Sequence, residues 1–174
     1  MGHRLLVLAV VLLLVPSRAG SEEPVTQGRA GADHPASSSR RTASLPDKAL
    51  MQEINDAWAT LDPDNAARYY DKSPGRVFFD VAPLKYTGWI AYARGAREQL
   101  ATYRSMKYTV GDDAVVHVAG DIAWGTATLH LETVDLAGLT QVTELRWTPV
   151  WQKEGSRWLL VHEHLSAPVE PPKQ

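Results

Sequence analysis

His162 and His164 flank Glu163 in a stretch of period-two patterning, so a strand there would point both imidazoles to one side, about 6.5–7 Å apart along the chain. With unbroken alternation, Trp158, Leu160 and Ser166 share that side. Two imidazoles beside apolar groups can supply an acid and a base near neutral pH. They can equally be semi-buried polar groups that orient a sheet. A His-x-His pair can also chelate a metal, given a third ligand close by. His130, Glu132 and Asp80 are candidates, but no spacing selects one, so no metal site and no cofactor is expected.

Asp80 is the other candidate for acid–base work. It follows Phe78-Phe79 and precedes Val81-Ala82-Pro83, an apolar setting that would raise its pKa and suit a general base. A strand-end Asp that accepts backbone N–H bonds is the plainer alternative. Arg146 alternates with Thr148 and Val150, so it points either inward as an anion anchor or outward toward Glu144 or Glu163. Most of the six tryptophans fit core positions. Trp124 is the best candidate to line a pocket.

These residues need elements to hold them. Ser44-Leu45-Pro46-Asp47 has the grammar of a helix start, and Leu50, Ile54, Ala57, Trp58 and Leu61 follow at helical spacing. Asp62-Pro63-Asp64 begins a second short helix, and Arg76–Asp80 reads as a short strand. Thr87 would cap a third helix bearing Trp89, Ala93, Ala96, Leu100 and Tyr103; Gly95 within it costs about 1 kcal/mol relative to Ala, so packing must support it. From Met106 the period changes to two, with strands expected over 106–111, 114–118, 122–134, 139–153 and 157–166. Helices followed by an antiparallel meander predict an α+β fold. The two longest strands exceed the usual five or six residues and must curl, leaving a cone with a cavity under the helices.

Composition sets the outer limits. The chain has 174 residues, no cysteine, and 18 Lys+Arg against 20 Asp+Glu. Without cysteine there is no disulfide scaffold, zinc finger or thiol nucleophile. A net charge of −2 argues against nucleic acid as a partner. Neither a Gly-rich phosphate loop, a Gly-x-Ser-x-Gly elbow nor a His-Glu-x-x-His helix is present.

The basic start Met1–Arg4 precedes the apolar run Leu5–Val15, too short for the roughly 20 residues that span a bilayer. Residues 1–19 are expected to be a signal peptide cut after Ala19, leaving no stable membrane span and a secreted or periplasmic protein; a retained anchor is the alternative. Residues 20–43, with Val25 their one large apolar side chain, read as a disordered linker. The folded unit is expected over 44–168, and 169–174 as a flexible tail.

The ending Arg146-Trp147-Thr148-Pro149-Val150-Trp151, a Gly155 turn, then Arg157-Trp158 through Val161-His162-Glu163-His164-Leu165-Ser166 carries a family pattern. It resembles the last two strands of SnoaL-like proteins in the nuclear-transport-factor-2-like superfamily. It also resembles the association domain of calcium/calmodulin-dependent kinase. Ala57-Trp58, the Asp62-Pro63-Asp64 break and Val77–Asp80 agree in order, so the likeness spans 45–168. The resemblance implies a cone-shaped, cystatin-like α+β fold, with a curved, mainly antiparallel sheet on N-terminal helices, dimeric through that sheet. It does not fix the activity. Asp80 sits where ketosteroid isomerases place a catalytic acid, but Val81 replaces the following Pro. The position of their oxyanion-binding Tyr falls near Ile54, which cannot donate a hydrogen bond. Scytalone dehydratase, another member, uses histidines and tyrosines; here Tyr69, Tyr70 and Tyr86 offer hydroxyls.

Three functions follow as expectations. The first is a homodimeric domain that binds a small, largely apolar ligand through Tyr86, Trp124, Arg146, His162 and His164. The second is a cofactor-independent isomerase, dehydratase or cyclase with Asp80, His162 or His164 in catalysis. The third is a non-catalytic assembly domain.

Overall fold

The computed structural model describes residues 44–169. The expected signal peptide, the linker and the tail beyond Val169 lie outside them. Helix α1 spans Lys48–Ala59, α2 Pro63–Ala66 and α3 Trp89–Leu100, with a 3-10 turn over Ala67–Tyr69. The strands are β1 (Val77–Phe79), β2 (Tyr86–Thr87), β3 (Tyr103–Val110), β4 (Val115–Ala119), β5 (Ile122–Asp135), β6 (Thr140–Glu154) and β7 (Arg157–Ser166).

Two helix starts differ from their expected caps. Asp47, not Ser44, caps α1: its backbone is extended and its carboxylate accepts from the Leu50 N–H at 2.8 Å. Gly88, not Thr87, begins α3 at φ +77°, a left-handed conformation that favours glycine, with its N–H bound to the Arg76 carbonyl at 2.6 Å. Tyr103 opens β3 and does not extend α3.

The seven strands form one curved, unclosed sheet in the order β2-β1-β7-β6-β5-β3, with β4 also on β5. The meander from β3 to β7 is antiparallel, and β1 alone joins in parallel, on β7. This is the mainly antiparallel α+β arrangement the sequence implied. Helix α1 presents Met51, Ile54, Asn55 and Trp58 to the sheet, and α3 presents Trp89, Tyr92, Ala96 and Leu100. Gln52 ties α1 to β3 at two points: its Oε1 accepts from the Val110 N–H (2.9 Å) and its Nε2 donates to the Tyr108 carbonyl (3.0 Å).

Burial on β5 and β6 alternates along their length, as a sheet with one covered face requires. Leu129, Leu145, Trp147 and Trp151 face the helices, whereas Trp124, Thr128, Arg146 and Thr148 face away. On β7 the alternation breaks. Val150 pairs with His162 but Trp151 pairs with Leu160, so Val161 is an extra residue, a β-bulge. Trp158 and Leu160 lie on the helix side; beyond the bulge, that side belongs to Glu163 and Leu165. The one added residue transfers His162 and His164 to the outer face.

Candidate functional site

The curved sheet and the helices enclose a cavity of about 200 Å³. Asn55 and Trp58 of α1 and Tyr92, Ala96, Gln99 and Leu100 of α3 form one wall. Tyr103, Met106 and Tyr108 of β3, Leu131 of β5 and Thr143, Leu145 and Trp147 of β6 form the other. Asp80 and Val81, just past β1, and Glu163 and Leu165 of β7 complete it. The surface is largely apolar and aromatic, with two carboxyl groups set into it.

Glu163 is the main polar feature. It is 1% exposed. Its Oε1 accepts from the Tyr70 hydroxyl at 2.8 Å and its Oε2 from Trp147 Nε1 at 2.7 Å. Tyr70 in turn accepts from Trp58 Nε1 at 2.9 Å, so one carboxylate anchors a chain of aromatic donors. Burial nevertheless dominates and pushes the Glu163 carboxyl up to about 7. Burial, with this carboxylate's charge behind it, holds the Tyr70 and Tyr92 phenols well above their ordinary range.

Asp80 is partly buried, and burial raises its pKa against the single opposing bond from the Val81 N–H (2.7 Å). Asp80 thus both accepts a backbone amide and lines the cavity, with its pKa raised by burial. Asn55 contributes a third polar group. It is 4% exposed on the otherwise apolar face of α1, and its Nδ2 donates to the Met51 carbonyl at 2.9 Å.

The other candidate residues lie elsewhere. His162 and His164 do share a face, as expected, but it is the outer one, where both rings meet the Phe79 ring edge-on at 5.4 and 5.6 Å. The His162 Nδ1 lies 2.7 Å from the Val77 carbonyl oxygen, bracing the β1–β7 pair. Arg146 is exposed on that face between Thr128 and Ser166, so the inward orientation is corrected; so is the outward position expected of Glu163. For Glu163 the physical reason is the bulge at Val161, which reverses the parity of β7; Arg146 faces out because its neighbours Leu145 and Trp147 on β6 take the helix side. Trp124 is 40% exposed and stacks on His117 at 5.2 Å, outside the cavity. Tyr86 is buried against Tyr92 (5.1 Å) and Gly95, in the core and not on the cavity wall. His130 pairs with Glu144 at 2.6 Å. Among the described residues, no group of three or more His, Cys, Asp or Glu could hold a metal ion.

Asn55 and Glu163 were not among the candidates. A signal for Asn55 existed: an amide at a core position, four residues from Met51 and three from Trp58. For Glu163 there was none, because uninterrupted alternation assigns it to solvent.

A mixed α+β domain with a curved, open sheet and a cavity under its helices is the architecture of the nuclear-transport-factor-2-like superfamily. The SnoaL-like domain model matches residues 48–170, and the chain belongs to that family. No curated protein matches the sequence. Among solved structures, a nuclear transport factor 2-like superfamily protein from Salmonella enterica serovar Typhimurium LT2 is similar at 24% identity and a TM-score of 0.63, covering 71% of this chain and 92% of its own. The association domain of Caenorhabditis elegans calcium/calmodulin-dependent kinase II is similar at 22% identity and a TM-score of 0.56, covering 68% and 91%. A proposed dehydratase of the same family from Streptomyces avermitilis is similar at 16% identity and a TM-score of 0.60, covering 67% and 89%. At these identities the likeness is one of fold.

Proposed function

We propose that the chain is an exported, homodimeric SnoaL-like domain that binds a small, largely apolar ligand in its cavity. One observation carries this reading: a cavity of about 200 Å³ is lined by Trp58, Tyr92, Tyr108, Leu145 and Trp147, yet holds the carboxyl groups of Asp80 and Glu163. Apolar walls with a few converging polar groups are what small-molecule sites share. Ligand contacts fall to Asp80, Asn55 and the aromatic walls. His162, His164, Arg146 and Trp124 belong instead to the outer face, where the dimer would form.

The dimer reading draws support from that face. His117, Trp124, Val150, His162 and Val77 pair in one row across five strands, and exposed Val115 and Ile122 flank it. A row of this kind, with a half-exposed tryptophan, suits a second copy of the same sheet.

The test of the ligand reading is a titration of the full chain with small neutral aromatic compounds, followed by calorimetry and tryptophan emission. Saturable binding is expected, and Ala96→Leu, which places three carbons in the cavity, should abolish it. Binding that survives Ala96→Leu would place the ligand elsewhere.

A second reading is favoured by the raised pKa of Asp80. A carboxylate with a raised pKa, partly buried in a cavity also lined by tyrosines, is suited to proton abstraction from a carbon acid or to elimination of water. Asp80 would take the proton and Tyr108 would donate to the developing oxyanion. Turnover of a bound enolisable ketone or β-hydroxy carbonyl compound, lost in Asp80→Asn, would convert the binding domain into an isomerase or dehydratase.

A further inference from the structure

We propose that the cavity is selective for organic cations, accepting a small molecule with a protonated amine ahead of neutral or anionic molecules of the same shape. This rests on the ligand-binding reading above and adds the charge class of the ligand.

The lining has two carboxyl groups, Asp80 and Glu163, and no Lys, Arg or His. An anion entering it would meet two carboxyl groups and no cationic side chain, with only neutral donors such as the Tyr108 and Thr143 hydroxyls to offset the cost of leaving water. The free hydrogen-bonding positions point the same way. Glu163 is already engaged on both oxygens by Tyr70 and Trp147. Asp80 accepts on Oδ1 from Val81, and its Oδ2 has no hydrogen-bond partner among the described residues. Asn55, 4% exposed, turns Nδ2 to the Met51 carbonyl, and that bond fixes the amide's orientation. Its Oδ1 has no donor among the described residues, and the residue lines the cavity. A carboxylate oxygen and an amide oxygen are thus both open acceptors, and a ligand that satisfies them must donate.

The walls add a second attraction. Trp58, Tyr92, Tyr108 and Trp147 all line the same space. Aromatic rings attract ammonium groups, more strongly when the site is desolvated. Carboxylate, amide oxygen and ring together are the complement of an alkylammonium head. The volume, about 200 Å³, lies below the roughly 300–1,000 Å³ of drug-sized sites, so one ring with a short amine arm suits it.

The experiment compares 2-phenylethylamine, 2-phenylethanol and phenylacetate by calorimetry on the full chain at pH 7.5, chosen so that the amine is protonated and the acid ionised. The amine is expected to bind about tenfold or more tightly than the alcohol, and the acid more weakly than either. In Asp80→Asn, checked as folded by thermal unfolding, the advantage of the amine over the alcohol should shrink to within about threefold, whereas His164→Ala on the outer face should leave that advantage unchanged. Equal binding of amine and alcohol, tighter binding of the acid, or an amine preference unchanged by Asp80→Asn would overturn the cation inference and leave the ligand reading standing. Binding of none of the three would overturn both.

Discussion

Trp147 and Glu163 are joined across neighbouring strands by a hydrogen bond of 2.7 Å from the indole Nε1 to the carboxyl Oε2. The pair faces the cavity only because Val161 is an unpaired residue on β7. That bulge decides which of three consecutive polar side chains, His162, Glu163 and His164, the helices cover. A buried acid with neutral partners has measurable consequences for stability.

Glu163 should make the fold less stable as pH rises. Its ordinary pKa of 4.5 is raised to about 7 in the folded protein. Between those values the unfolded chain has lost the proton while the folded one retains it, so stability falls with pH across that window and levels off above it. The full loss is on the order of 3 kcal/mol. Urea unfolding at pH 5 and pH 8 measures it. Glu163→Gln should flatten most of the slope, leaving a smaller contribution of the same sign from Asp80, whose pKa is also raised by burial. Glu163→Ala, which leaves the Tyr70 and Trp147 donors unpaired, should cost about 3 kcal/mol at pH 5. A wild-type protein with no decline between pH 5 and 8 would contradict the assignment.

Gly95 offers a test of packing against propensity. Alanine favours an isolated helix by about 1 kcal/mol. A Cβ at Gly95, however, would run into the Tyr86 ring, which is held between α3 and the aromatic core. Gly95→Ala is therefore expected to destabilise the fold, by about 1–3 kcal/mol. Thermal unfolding of the variant decides the sign.

His162→Ala and His164→Ala should leave affinity for a cavity ligand within about twofold, since both rings lie outside the cavity wall. Of the two, His162→Ala should lower stability more, because only His162 contacts the Val77 carbonyl. Calorimetry and urea unfolding on the same preparations separate the effects.

Trp124→Glu should convert the proposed dimer into a monomer. The side chain is 40% exposed within the outer row, between His117 and Val150, where a buried acid would be left without a partner. Sedimentation at several concentrations gives the stoichiometry. Unfolding should be little affected in the isolated subunit.

The architecture was largely legible in the sequence, and the identity of the site was only half so. Strand ranges and the α+β order follow from the change of period at Met106, because alternation is imposed by a sheet with one covered face. Asp80 was legible because it interrupts an apolar segment, and it does line the cavity. The imidazoles were legible as a pair but not as to side. A bulge is a property of two strands in register, and Val161 looks like any other β-branched residue in a strand. Trp124 and Tyr86 show a related difficulty. An aromatic residue fits a cavity, a core or an interface equally well, and only the neighbouring chain decides among them.

The indole N–H signals of Trp58, Trp147 and Trp124 measure occupancy of the cavity most directly, since the first two line it and the third lies outside. In a ¹H–¹⁵N titration with 2-phenylethylamine, the Trp58 and Trp147 signals should shift together and saturate while Trp124 stays in place. Movement of Trp124 alone, or of none of the three at saturating probe, would contradict the account.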